Sequence, residues 1–177
     1  MKKALTLIGI VLTFFLIYFL QVNFFSWFNI AGIKPNLFVI YIIFLGTFIG
    51  RKRGIIIGII FGLYIDIING RILGLTAIMF VLTAIFSDIM NKNVSSDTKI
   101  TMIFIIALGT FLYEFGYYIL SIWKLSINVE MMQFMKIIMI EILFNSILTI
   151  ILYPLIQKVG ILISDIFNKK SFLSTYF

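Results

Sequence analysis

Between Ala4 and Leu155 the chain is a succession of long apolar runs broken by short polar turns, and no polar stretch is long enough to fold by itself in water. A helix crosses a hydrocarbon core of about 30 Å in about 20 residues. Composition excludes the soluble alternative. Ordinary soluble domains carry about a quarter charged residues, whereas 12% of these 177 residues are charged and 62% are hydrophobic. A chain of this size leaves much of its surface exposed, so water offers no place for so much apolar side chain. The expectation is an all-α integral membrane protein, with residues 1–177 forming a single transmembrane domain.

The apolar runs predict six spans, at about 4–22, 37–49, 54–68, 72–90, 100–122 and 132–155. The first follows Lys2 and Lys3, as a signal peptide would, but Gln21 to Trp27 contain no small-residue cleavage site, so a retained span is expected. Phe24, Phe25, Trp27 and Phe28 then suit the membrane interface. The second and third spans are short. A re-entrant hairpin would place Arg51, Lys52 and Arg53 at mid-membrane, at a cost of at least about 2.5 kcal/mol each. Two short crossings with local thinning or snorkelling cost less. Pro154 either ends or kinks the last span, and Gln157 to Phe167 either continue it or lie along the interface.

Six spans put both termini on one side. With the N-terminus inside, Lys2, Lys3, Arg51, Lys52, Arg53, Lys92, Lys99, Lys158, Lys169 and Lys170 are internal, and Lys34, Arg71, Lys124 and Lys136 external. That distribution favours an N-in, C-in arrangement. The same reading accounts for the net charge of +7. The cations cluster between apolar runs, where they orient the chain or meet anionic lipid of the bilayer, so no nucleic-acid partner is expected.

Little catalytic chemistry is available. The chain has no cysteine and no histidine, which removes disulfides, thiolates and the commonest metal ligand and general base. It contains no Walker loop, no Gly-x-Ser-x-Gly and no paired metal ligands. No catalytic residue, cofactor or metal is expected. Met131, Met132 and Met135 read as the start of a helix entering lipid.

Two internal patterns stand out. Gly50, Gly54, Gly58, Gly62, Asp66, Gly70 and Gly74 recur every four residues, which places them on nearly one helix face through the third span. A face without side chains lets another helix approach closely. That helix is either a neighbouring span or a partner's, with Gly54, Gly58 and Gly62 as the contact. Gly109 and Gly116 offer a second small-residue contact on the fifth span. The other pattern is three acids within apolar spans, Asp66, Glu114 and Glu141. Helical rise puts Asp66 about 18 Å from Gly54, Glu114 about 21 Å from Ile100 and Glu141 about 13 Å from Met132, so all three fall at similar depth. Intramembrane acids are costly and conspicuous. They are paired internally, with Arg71, Lys136, Asn145 or tyrosines, or they bind a proton or cation, or they line a ligand pocket.

Lys34-Pro35-Asn36-Leu37, Gly50-Arg51-Lys52-Arg53-Gly54, the run from Gly62 to Gly70 around Asp66, and Leu73-Gly74-Leu75 resemble, in order and spacing, the rod shape-determining MreD family over roughly residues 34–90. Pro35, Asn36, Asp66, Gly70 and Gly74 are the family-like positions. The resemblance implies a non-enzymatic scaffold of the bacterial inner membrane. It further implies an MreC-like bitopic partner, a RodA-like polymerase, a class B penicillin-binding protein and, directly or indirectly, MreB filaments. In physical terms Pro35 and Asn36 would set the start of the second span, and Asp66 would anchor the turn at Asn69 to Arg71. The same resemblance suggests a bundle like the S-components of energy-coupling-factor vitamin transporters, which supplies an alternative function. Many of those carry an Ala-x-x-x-Ala pair on their first helix, and the first span here, from Ala4, lacks it. A proton-coupled carrier is a third reading, resting on Asp66, Glu114 and Glu141 alone.

Overall fold

The computed structural model describes residues 2–30, 32–70, 72–94, 98–125 and 130–168. Arg71, Lys169 and Lys170, counted above among the loop cations, lie outside these, as do the Ser95 to Asp97 loop and Asn128. The long elements among the described residues are all helices: α1 (Lys2–Phe19), α2 (Leu37–Ile49), α3 (Arg51–Ile68), α4 (Leu75–Val94), α5 (Lys99–Leu125) and α6 (Met131–Asn168). A π-helical turn, Leu20–Phe24, continues α1. Four helices are long and apolar enough to cross a membrane: α1 with that turn, α4, α5 and α6.

The short α2 is the centre of the molecule. Leu37 and every residue from Val39 to Ile49 are buried. The other five helices all pack on it, and α3 makes its broadest contact with α4. A helix wrapped in protein presents almost no side to lipid, so thickness mismatch has little to act on. Its 13 residues rise about 20 Å, short of a core of about 30 Å. Its head ends among side chains of other helices.

One residue joins α2 to α3. Gly50 has φ of +88°, a conformation that a Cβ would strain. Arg51, Lys52 and Arg53 fall in the first turn of α3, which begins before Gly54. Arg53 turns back: its Nη1 donates to the Ile49 carbonyl at 3.2 Å, closing an unsatisfied end of α2. Its guanidinium also lies 4.9 Å from the centre of the Phe167 ring.

That contact exists because α6 runs on through Pro154 to Asn168, about 57 Å at helical rise. Of the alternatives open beyond Leu155, the chain continues the helix. Ile156, Ile163 and Phe167 are buried there, and Gly160 admits the Phe48 ring of α2. By contrast α1 lies outermost. Ile10 and Phe14 are the buried residues of its 18. It is held where the Tyr41 hydroxyl donates to the Ile10 carbonyl at 2.8 Å and where Phe14 stacks on Phe61 at 3.9 Å.

Candidate functional site

The head of α2 is an unusually polar place for an apolar bundle, and it is built by three other helices. Asn36 caps α2, its side-chain oxygen accepting from the Val39 N–H at 3.3 Å. Its own N–H donates to Asn145 Oδ1 at 2.9 Å, and its Nδ2 donates to Glu114 Oε1 at 3.4 Å. Asn145 is fully buried and donates in turn to Thr110 Oγ1 at 3.0 Å. From the π-helical turn comes Gln21, which accepts from the Leu37 N–H at 3.0 Å and donates to the Pro35 carbonyl at 2.8 Å. First-turn N–H groups have no partner within their own helix. Here Gln21, from the turn that continues α1, and Asn145 of α6 take that part, with the Asn36 side chain itself.

Glu141 completes the cluster. It lies one helical turn before Asn145 on α6, is 6% exposed, and stands within hydrogen-bonding reach of Glu114 and Asn36. Its Oε1 has no hydrogen-bond partner. A cavity of about 260 Å³ opens beside it, walled by Tyr18, Phe38, Phe80 and Tyr113, with Lys34 and Asn69 also on its lining. Of the three intramembrane acids, Glu114 and Glu141 therefore meet, together with Pro35 and Asn36.

Asp66 is engaged elsewhere. It is completely buried near the end of α3, and its two oxygens accept from the Gly74 N–H at 2.9 Å and the Thr76 N–H at 3.2 Å. The carboxylate thus caps α4 from the preceding helix, where a helix dipole favours negative charge. The tie lands on Gly74 and Thr76, a few residues beyond the Asn69 to Arg71 turn. Gly74 takes φ of +94° and Gly70 +60°, so both are turn glycines at the corner that Asp66 closes.

The glycine face is covered by α4 of the same chain. A methyl group on Gly62 would meet the Ala77 backbone, one on Gly58 would lie 3.2 Å from the Phe80 carbonyl carbon, and one on Gly54 would lie 3.3 Å from the Ala84 Cβ. Opposite the glycines, α4 presents Ala77, the backbone at Phe80 and Val81, and Ala84. Thr83 and Ser87, also buried on α4, return their hydroxyls to carbonyls one turn back, at 2.8 and 2.7 Å. The face leaves no room for a second helix. Gly109 and Gly116 receive side chains, those of Ile43 and Met79.

Sequence reasoning singled out Pro35, Asn36, Glu114 and Glu141 but missed Gln21, Thr110 and Asp88. Gln21 carried a signal, as the one amide among the apolar residues from Ala4 to Val22. Asp88 is buried and paired with the exposed Lys92 one turn on, a spacing that was legible too. Thr110 had none, since a threonine within a membrane helix usually bonds its own backbone.

Comparison with known proteins agrees with the motif reading. The family model for rod shape-determining protein MreD matches residues 1–159, which takes in α1 to α5 and most of α6. Neither the curated proteins nor the solved structures contain a significant match. With nearly the whole chain inside that match, this membrane protein belongs to the MreD family of rod shape-determining proteins.

Proposed function

We propose that this chain is a non-catalytic scaffold of the cell-elongation machinery, supporting lateral peptidoglycan synthesis through an MreC-like bitopic partner and, with it, RodA-like and class B penicillin-binding synthases and MreB filaments. The observation that carries the reading is the family match over residues 1–159. The architecture is consistent with it, because the described residues are almost entirely helix. On this reading the chain crosses the bacterial inner membrane six times with both termini in the cytoplasm, as the distribution of Lys and Arg favours.

Since α4 covers the glycine face, partner contacts fall to outward faces. The foremost is α1, where Leu5, Leu12 and Leu16 are among the exposed side chains. Tagged protein, solubilised in mild detergent, should co-purify with an MreC-like protein and wall synthases identified by mass spectrometry. A photo-crosslinker at Leu12 or Leu16 should capture one of them, whereas one at Gly58 should not. Recovery of ATPase and coupling subunits instead would replace the scaffold by a transporter S-component.

A further inference from the structure

Two stripes on α1 and α3 share one pattern. On α1, Phe15, Val11, Leu7 and Lys3 follow one another at four-residue steps, and on α3 Tyr64, Ile60, Ile56 and Lys52 do the same. Such steps keep each set on nearly one helix face. The stripes meet at their aromatic ends, where the Phe15 and Tyr64 rings stand edge to face with centroids 5.5 Å apart. Phe14 stacks on Phe61 and Tyr18 reaches Tyr64, so the two helices run in the same direction and begin at the same end of the bundle. Each lysine is twelve residues from the aromatic contact, about 18 Å along its helix. That is close to the hydrocarbon of one leaflet, half of a core of about 30 Å.

Between the rings and the lysines the surface is open. Leu7, Val11, Ile56 and Ile60 are 42% to 58% exposed. At the open end the charge has one sign. Lys2, Lys3, Arg51 and Lys52 are all exposed, and neither helix has an acid in its first turn. The one carboxylate on these two helices, Asp66, is buried near the far end of α3.

We propose that α1 and α3 together seat one anionic phospholipid, its phosphate between Lys3 and Lys52 and its acyl chains along the two aliphatic stripes as far as Phe15 and Tyr64. Charge complementarity selects the occupant. A lipid without net charge covers the apolar stripes but leaves the four cations unanswered, whereas a negative headgroup at that depth meets them. The inference stands apart from the scaffold reading, because it requires no protein partner. Leu12 and Leu16, offered above to such a partner, lie about 100° round α1 from Val11 and Phe15.

The test uses the purified full chain in mild detergent, with phosphatidylglycerol and phosphatidylcholine of matched acyl chains as probes. Native mass spectrometry should show one phosphatidylglycerol retained in preference to phosphatidylcholine, and phosphatidylglycerol should raise the thermal midpoint saturably by a few degrees. Lys3→Gln with Lys52→Gln should abolish both responses and leave the midpoint without lipid unchanged, since both side chains are exposed. Lys99→Gln with Lys158→Gln removes as much charge from other exposed positions and should keep both responses. Equal loss in the two double variants overturns the assignment, because the attraction would then be to a diffuse positive end and not to a built seat. A wild-type chain that holds the two lipids alike, or neither, overturns it whatever the variants do.

Discussion

Gly62 lies so close to α4 that any side chain there must displace the backbone of Ala77. Overfilling a packed contact costs about 1–3 kcal/mol. Gly62→Leu should therefore lower the thermal midpoint in detergent clearly, while Gly9→Ala, with nothing within 4 Å of the added methyl, should change stability by no more than about 1 kcal/mol. Equal behaviour of the two would remove close α3–α4 packing as the reason for the ladder. At Asp66 the expected losses are graded. Each hydrogen bond to a charged group contributes about 1.5–3 kcal/mol, and Asp66 accepts two from the start of α4. Asp66→Ala forfeits both, whereas Asp66→Asn keeps one acceptor and turns an N–H towards the other donor. Thermal midpoints should fall in the order wild type, Asn, Ala. Normal rod shape in cells carrying Asp66→Asn would show that an ionised carboxylate is not required for function. The four-residue spacing was legible because helical geometry alone puts such residues on one face. Which helix fills that face was not, since spacing carries no information about the neighbour.

At the scale of the element, α2 is the instructive case. Its boundaries followed from sequence, with Pro35-Asn36 before it and Gly50 after it, and the helix spans Leu37–Ile49. Its place did not. An unbroken apolar run of 13 residues is equally compatible with a short lipid-facing span and with a helix buried on every side. Burial makes its head depend on other helices. Gln21→Leu keeps the bulk but leaves the Leu37 N–H and the Pro35 carbonyl without their partner, at about 1–3 kcal/mol for each buried group. The expected result is faster hydrogen exchange across the first turn of α2, with the α3–α4 corner unaffected. Uniform destabilisation would instead mean that α2 does not open by itself. The extension of α6 beyond Pro154 was equally ambiguous in sequence. Proline removes one hydrogen bond, but the burial of Ile156, Ile163 and Phe167 against the bundle carries the helix on.

For the molecule as a whole, the expected arrangement is six crossings with both ends inside. Alkaline phosphatase fused in the 69–74 or 126–129 connections should be active, and fluorescent protein fused at either terminus or in the 95–97 loop should glow. A phosphatase active in the 95–97 loop would reverse the orientation. Sequence alone determined that the chain is a helical membrane protein, where α2 begins and ends, and that it carries the MreD motif. Those properties are local: hydropathy, turn residues and four-residue spacing are written along the chain and need no partner to be read. Tertiary structure decided that α2 is the buried axis, that α4 closes the glycine face, and that Glu114 and Glu141 meet at a cavity while Asp66 caps α4. Each of those depends on residues far apart in sequence coming together, such as Asn36 with Asn145 or Gln21 with Leu37, and helical periodicity defines faces without saying which faces meet.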